Sequence, residues 1–128
     1  MLDLFEAIKN RRSIRAYRPD TIPEEDLKKI LEAATLAPSA GNLQPWEFII
    51  TTNKDKIRRI SQLKGEKWIE NAPAIIIIIS RPDISPVYHM SDTAMAVHNI
   101  SLAALSMGLG TCWIGTMDRE KAKELLNI

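Results

Sequence analysis

Residues 74–80 read Ala-Ile-Ile-Ile-Ile-Ile-Ser, and no other stretch restricts the possible folds as much. Successive side chains of a strand point to opposite faces, so five consecutive isoleucines place apolar groups on both. β-branched side chains favour the extended chain. A run without alternation predicts a central strand buried on both faces, with helices on each side. The run is far too short to cross a bilayer.

The helices needed to cover it can be read from caps and spacing. Residues 3–10 form one helix, with Asp3 as the cap, Glu6 placed for a capping box, and Leu4, Phe5 and Ile8 on one apolar face. Pro23 begins a second, with Glu24, Glu25 and Asp26 on the first turn and Leu27, Ile30, Leu31 and Ala34 at helical spacing. It must stop before Pro38. A strand over 47–52 precedes a helix over 54–63. The helix over 91–107 is apolar nearly all round, which predicts burial in a core or a subunit interface. Its Ala94, Ala96, Ser101, Ala103 and Ala104 allow close packing, and Gly108 ends it. A short strand over 110–115 follows, and Asp118 caps a last amphipathic helix.

Three connecting stretches hold the chemistry. The first is Arg11-Arg12-Ser13-Ile14-Arg15. In an extended segment Arg11, Ser13 and Arg15 project to one side, and guanidinium forks match the oxygens of a phosphate. Taken alone, the stretch reads sooner as a solvated basic turn. The second runs from Ala37 through Pro38, Ser39, Ala40, Gly41, Asn42, Leu43, Gln44 and Pro45 to Trp46. Two prolines stiffen it, Gly41 permits close approach, and the amides of Asn42 and Gln44 can pair with a heteroaromatic edge. The third is the glycine-bounded segment Gly110 to Gly115.

Several function classes lack their signatures. The glycines at 108, 110 and 115 precede a strand and do not fit a dinucleotide fingerprint. His89, His98 and Cys112 lack metal-ligand spacing, so no metal site is predicted. His98 lies in the apolar helix and reads as a structural histidine, and Cys112 as an inert buried thiol. A formal net charge of +1 offers no field for nucleic acid or an anionic membrane. With 128 residues the chain is read as one domain. A single cysteine and no signal peptide after Met1 give a cytoplasmic expectation. A chain this poor in acid–base and nucleophilic groups needs a cofactor to carry any reaction.

Taken in this order, Arg11–Arg15, Pro38–Trp46 and the third stretch counted from Gly108 to Gly115 resemble the FMN-dependent nitroreductase family along the whole chain. The resemblance implies an α+β fold, a three-layer α/β/α arrangement around a mixed, mostly antiparallel sheet, and an intertwined homodimer with FMN at the interface. Arg11, Arg12, Ser13 and Arg15 would hold the phosphate and ribityl chain. Pro38, Ser39, Ala40 and Asn42, with Gln44 close by, would reach the flavin from the other subunit. Ile114, Gly115 and Thr116 match the segment lining one face of the ring. The helix over 91–107 would pack on its symmetry mate. NADH or NADPH would reduce the flavin, and a small electron-poor acceptor such as a nitroaromatic or quinone would then be reduced in the same pocket. No side chain is implied as a catalytic acid. Two alternatives stay open: a flavin-binding dimer without turnover, and a flavin enzyme of the same fold with another reaction, such as dehalogenation or flavin breakdown. Family members continue beyond the helix near Leu126 with a further strand and tail, so by resemblance the chain is C-terminally short.

Overall fold

The computed structural model describes residues 2–128. Its elements in order are α1 (Leu4–Asn10), α2 (Glu24–Thr35), a 3-10 turn (Ala40–Asn42), β1 (Trp46–Thr51), α3 (Lys54–Lys64), a second 3-10 turn (Lys67–Asn71), β2 (Ile75–Ser80), α4 (His89–Ser106) and α5 (Arg119–Leu126).

The helix boundaries follow from local chemistry. Glu6 N–H donates to Asp3 Oδ1 at 2.9 Å while the Glu6 carboxylate accepts from Asp3 N–H at 3.4 Å, so the capping box of α1 is formed. Asn53 and Asp118 cap α3 and α5 by accepting from the backbone N–H groups of Lys56 and Lys121. Past the end of α4, Gly108 adopts φ +80°. Its N–H donates to Leu105 O and that of Leu109 to Ala104 O, each at 2.9 Å. This paired closure needs a left-handed residue at position 108, which glycine supplies without a Cβ penalty.

The main core lies where α4 crosses α2 and the inner face of the strands. Ile30, Ala34 and Ala37 meet Ala96, Ile100 and Ala104, with Trp46 between them and Phe48, Ile76 and Ile78 against the rim. Ala34 and Ala96 are fully buried, so the small residues of α4 serve first to let α2 approach within the same chain. Ile57, Ile60 and Ile69 are buried where α3 meets the second 3-10 turn.

β1 and β2 pair antiparallel, from Trp46 opposite Ser80 to Thr51 opposite Ile75. A parallel bridge joins Ser13 to Thr111. The arrangement is therefore α+β with both pairing senses present, but three expectations need correction. Residues 110–115 are not a strand: one bridge gives them no ladder. The isoleucines of β2 are half-buried throughout, because its edge away from β1 is unpaired among the described residues. A cavity of about 590 Å³ lies against this strand, lined also by residues 108–114, Ile100 and Ala104. Third, His98 is exposed, on the side of α4 opposite Ala96, Val97 and Ile100. The apolar face of α1 also points outward: Phe5 is 82% exposed, and only Ala7 of that helix is buried.

Candidate functional site

α1 delivers the chain to Arg11, whose N–H closes the helix on Ala7 O at 3.0 Å. The Arg12 guanidinium turns back, donating from Nη1 to Lys9 O at 3.0 Å and Arg11 O at 2.8 Å, and so satisfies carbonyls at the negative end of α1. Ile14 N–H then donates to Thr111 O at 2.9 Å, which fixes Ser13 beside the 110–116 segment. Arg11 and Arg12 line a small cleft of about 80 Å³ with Ser101, Leu105, Gly110 and Thr111. Arg15 does not share that cleft. Its guanidinium carbon stands 6.0 Å from the centroid of the Trp68 ring, a cation–π contact. Among the described residues none of Arg11, Arg12 and Arg15 is ion-paired with a carboxylate, whereas Arg18, Arg58 and Arg81 all are.

Tyr17 finishes this stretch. Its hydroxyl donates to Ile14 O at 2.6 Å, and its ring lies 6.1 Å from that of Trp68. Burial, and secondarily Cys112, push the phenol up to about 12, against the opposing pull of Arg15. Cys112 is half-buried.

The glycines of the third segment differ in purpose. A Cβ on Gly110 would stand 3.0 Å from Cβ, Cγ1 and Cγ2 of Ile14, so the bridge between the two segments depends on its absence. A Cβ on Gly115 would meet nothing within 4 Å. Ile114 is half-buried, and Gly115 and Thr116 are exposed beside it.

The loop over 38–44 is strongly bent. Gly41, Asn42 and Gln44 have φ of +59°, +54° and +51°. A non-glycine residue in this region costs on the order of 1 kcal/mol or more, which the surroundings must offset. Internal bonds hold the bend: Gln44 N–H donates to Ser39 Oγ at 3.0 Å and Asn42 N–H to Ser39 O at 2.9 Å. Pro45 O accepts from Arg81 N–H at 2.8 Å, and Ala40 N–H donates to Asp92 Oδ2 at 3.0 Å. Pro38, Asn42 and Gln44 are exposed, and Ser39 and Ala40 half-buried. Asp92 was not singled out by sequence reasoning. An acid on the first turn of a helix ordinarily signals only a favourable interaction with the helix dipole. The one available signal was its place in an otherwise apolar helix.

Two of the three stretches therefore meet, and the third stands apart. Ser13 and Thr111 are bridged just past the C-terminal end of α4, while the loop is tied to Asp92 on its first turn. A helix rises about 1.5 Å per residue, so sixteen residues from 92 to 108 put about 24 Å between these attachments.

The Nitroreductase family model matches residues 8–71 and 58–128. The chain belongs to the nitroreductase family. A nitroreductase-family relative from Archaeoglobus fulgidus, provisionally named NADH dehydrogenase/NAD(P)H nitroreductase, is 40% identical over 136 residues, covering 100% of this chain and 78% of its own length. The FMN reductase [NAD(P)H] of Bacillus subtilis is 29% identical, and the match spans all of this chain but 59% of that enzyme. The crystallised FMN-dependent nitroreductase of Clostridium difficile superposes with a TM-score of 0.88 at 36% identity, over 96% of this chain and 78% of that one. Nitroreductases are NAD(P)H oxidoreductases, and family membership makes this chain an enzyme of that class.

Proposed function

We propose that this nitroreductase binds FMN between two copies of the chain and uses NADH or NADPH to reduce small electron-poor acceptors, with nitroaromatics and quinones as the classes to try first. The observation that carries the reading is the division of the site: the arginine stretch and residues 114–116 lie at one end of α4, and the amide-bearing loop lies at the other. One chain cannot bring the two to a single cofactor. A two-fold related copy with its α4 antiparallel would set the loop of one chain against the arginine stretch of the other.

The residues suit the cofactor. Among the described residues Arg11 and Arg15 keep their charge uncompensated by carboxylates, as an anion site requires, and Ser13, between them in sequence, offers a further hydroxyl. Arg12 supports the phosphate site mainly by closing α1. The open space over Gly115 leaves the backbone of 114–116 approachable by a flat ring. Pro38, Ser39 and Ala40 form the rigid base of the loop, and Asn42 and Gln44 offer a donor and acceptor pair for a heteroaromatic edge. A flavin held by these residues would supply the hydride-transfer chemistry between the nicotinamide and the acceptor. The protein contributes orientation, exclusion of water and cations near developing negative charge.

The exposed apolar groups of α1 and the outer face of α4, Leu4, Phe5, Ile8, Met90 and Met95, favour a homodimer. The test is optical. Purified protein incubated with FMN and desalted retains the flavin absorbance, loses it anaerobically on adding NADH or NADPH, and recovers it with an acceptor. A protein that retains no FMN overturns the reading. An acceptor panel with product analysis then separates nitro and quinone reduction from dehalogenation.

A further inference from the structure

Asp92 is 3% exposed, yet no cation pairs with it among the described residues. A carboxylate so placed is costly to bury unless hydrogen bonds compensate it. The positive end of the α4 dipole offsets part of the cost. Its Oδ2 accepts a hydrogen bond from Ala40 N–H, 52 residues away in sequence, at 3.0 Å. Ala40 opens the 3-10 turn of the loop, and Ser39, in the capping position, does not cap it. The Ser39 hydroxyl is engaged instead with Gln44 N–H. Asp92 thus caps, from another element, the turn that holds the left-handed Gly41 and Asn42 and leads to the left-handed Gln44. The next residue, Thr93, reaches the far end of the same loop, its hydroxyl 3.4 Å from Pro45 O.

We propose that Asp92 is a positioning residue for the flavin: by holding Ala40 N–H it sets the bend that presents the Asn42 and Gln44 amides to the ring. The proposal rests on the reading of FMN as cofactor. It predicts that the carboxylate acts as a hydrogen-bond acceptor, so an isosteric amide substitutes for it and shorter side chains do not.

The experiment compares wild type with Asp92→Asn, Asp92→Ser and Asp92→Ala, the serine variant keeping a polar group in case alanine fails to fold. Three quantities are read: amide hydrogen exchange of Ala40 without cofactor, FMN affinity, and the visible band shape of bound FMN. In the serine and alanine variants Ala40 exchange accelerates at least tenfold while Ile57 and Ile60 keep their protection. FMN affinity falls about tenfold, and the flavin bands shift toward those of free FMN. Asp92→Asn restores all three to within about threefold of wild type. Unchanged Ala40 exchange or unchanged FMN affinity in the shortened variants overturns the proposal, as does an asparagine variant as defective as alanine. Wild type that binds no FMN is a different failure: it removes the cofactor reading itself, and the positioning role with it.

Discussion

Arg11 and Arg12 are neighbours with different duties. Arg12 is committed to the carbonyls of Lys9 and Arg11, so Arg12→Ala is expected to lower stability by about 0.5–1.5 kcal/mol, the net scale of an ordinary hydrogen bond, seen as a lower denaturant midpoint. Arg11 lines the cleft beside Thr111 without such a commitment. Arg11→Ala is expected to leave the midpoint nearly unchanged and to weaken FMN binding by about 1.5–3 kcal/mol, as for a hydrogen bond to a charged group. Equal effects of the two substitutions on both measurements would contradict this division. Tyr17 gives a pH signature. Burial pushes its phenol up from the ordinary 10.0 to about 12, so the folded state holds the proton more tightly than the unfolded chain does. The stability it contributes is complete below pH 10 and is lost as pH rises toward 12. Tyr17→Phe is expected to flatten that part of the stability profile, measured by urea unfolding at stepped pH.

At the level of elements, the packing of the N-terminal stretch on the 110–116 segment is the joint on which the proposed phosphate side depends. Gly110→Ala brings a methyl group to 3.0 Å from Ile14, and overpacking of this kind costs typically about 1–3 kcal/mol. The substitution is expected to weaken FMN binding as well as lower the thermal midpoint, and Ile14→Ala in the same chain to recover part of both. If Gly110→Ala changes neither, the joint is not tight. The helices were legible beforehand because their ends are written locally: Asp3 with Glu6, Gly108 and Asp118 each make the bond their position predicts. The bent loop was legible from its prolines, glycine and amides. What stayed hidden depends on partners distant in sequence. Residues 110–115 have strand composition but only one bridge, β2 has apolar groups on both faces but one free edge, and His98 follows helical spacing onto the exposed side of α4. Asp92 stayed hidden for the same reason, since only folding brings Ala40 to it.

For the whole molecule, the proposal of a shared site turns on the separation of the arginine stretch and the 38–44 loop by the length of α4. α4 buries one face on α2 and the sheet of its own chain, which accounts for part of its apolarity. Met90 and Met95, and the Leu4, Phe5 and Ile8 of α1, are exposed, and in the proposed dimer they face a second copy. Sedimentation equilibrium at micromolar concentration is expected to give a dimer; a stable monomer would contradict that arrangement. No helix of the described residues is long and apolar enough to cross a membrane, and none is needed by this scheme.

Complementation between chains tests the shared site directly. One variant carries Arg11→Ala with Arg15→Ala, the other Asn42→Ala with Gln44→Ala, and each alone is expected to bind FMN poorly. Co-refolded in equal amounts, they form mixed dimers in which one site draws intact arginines from one chain and an intact loop from the other. Tight FMN binding then returns to about a quarter of the wild-type capacity, as random pairing into two-fold dimers requires. If mixing restores none, each site is built within a single chain and the account is wrong.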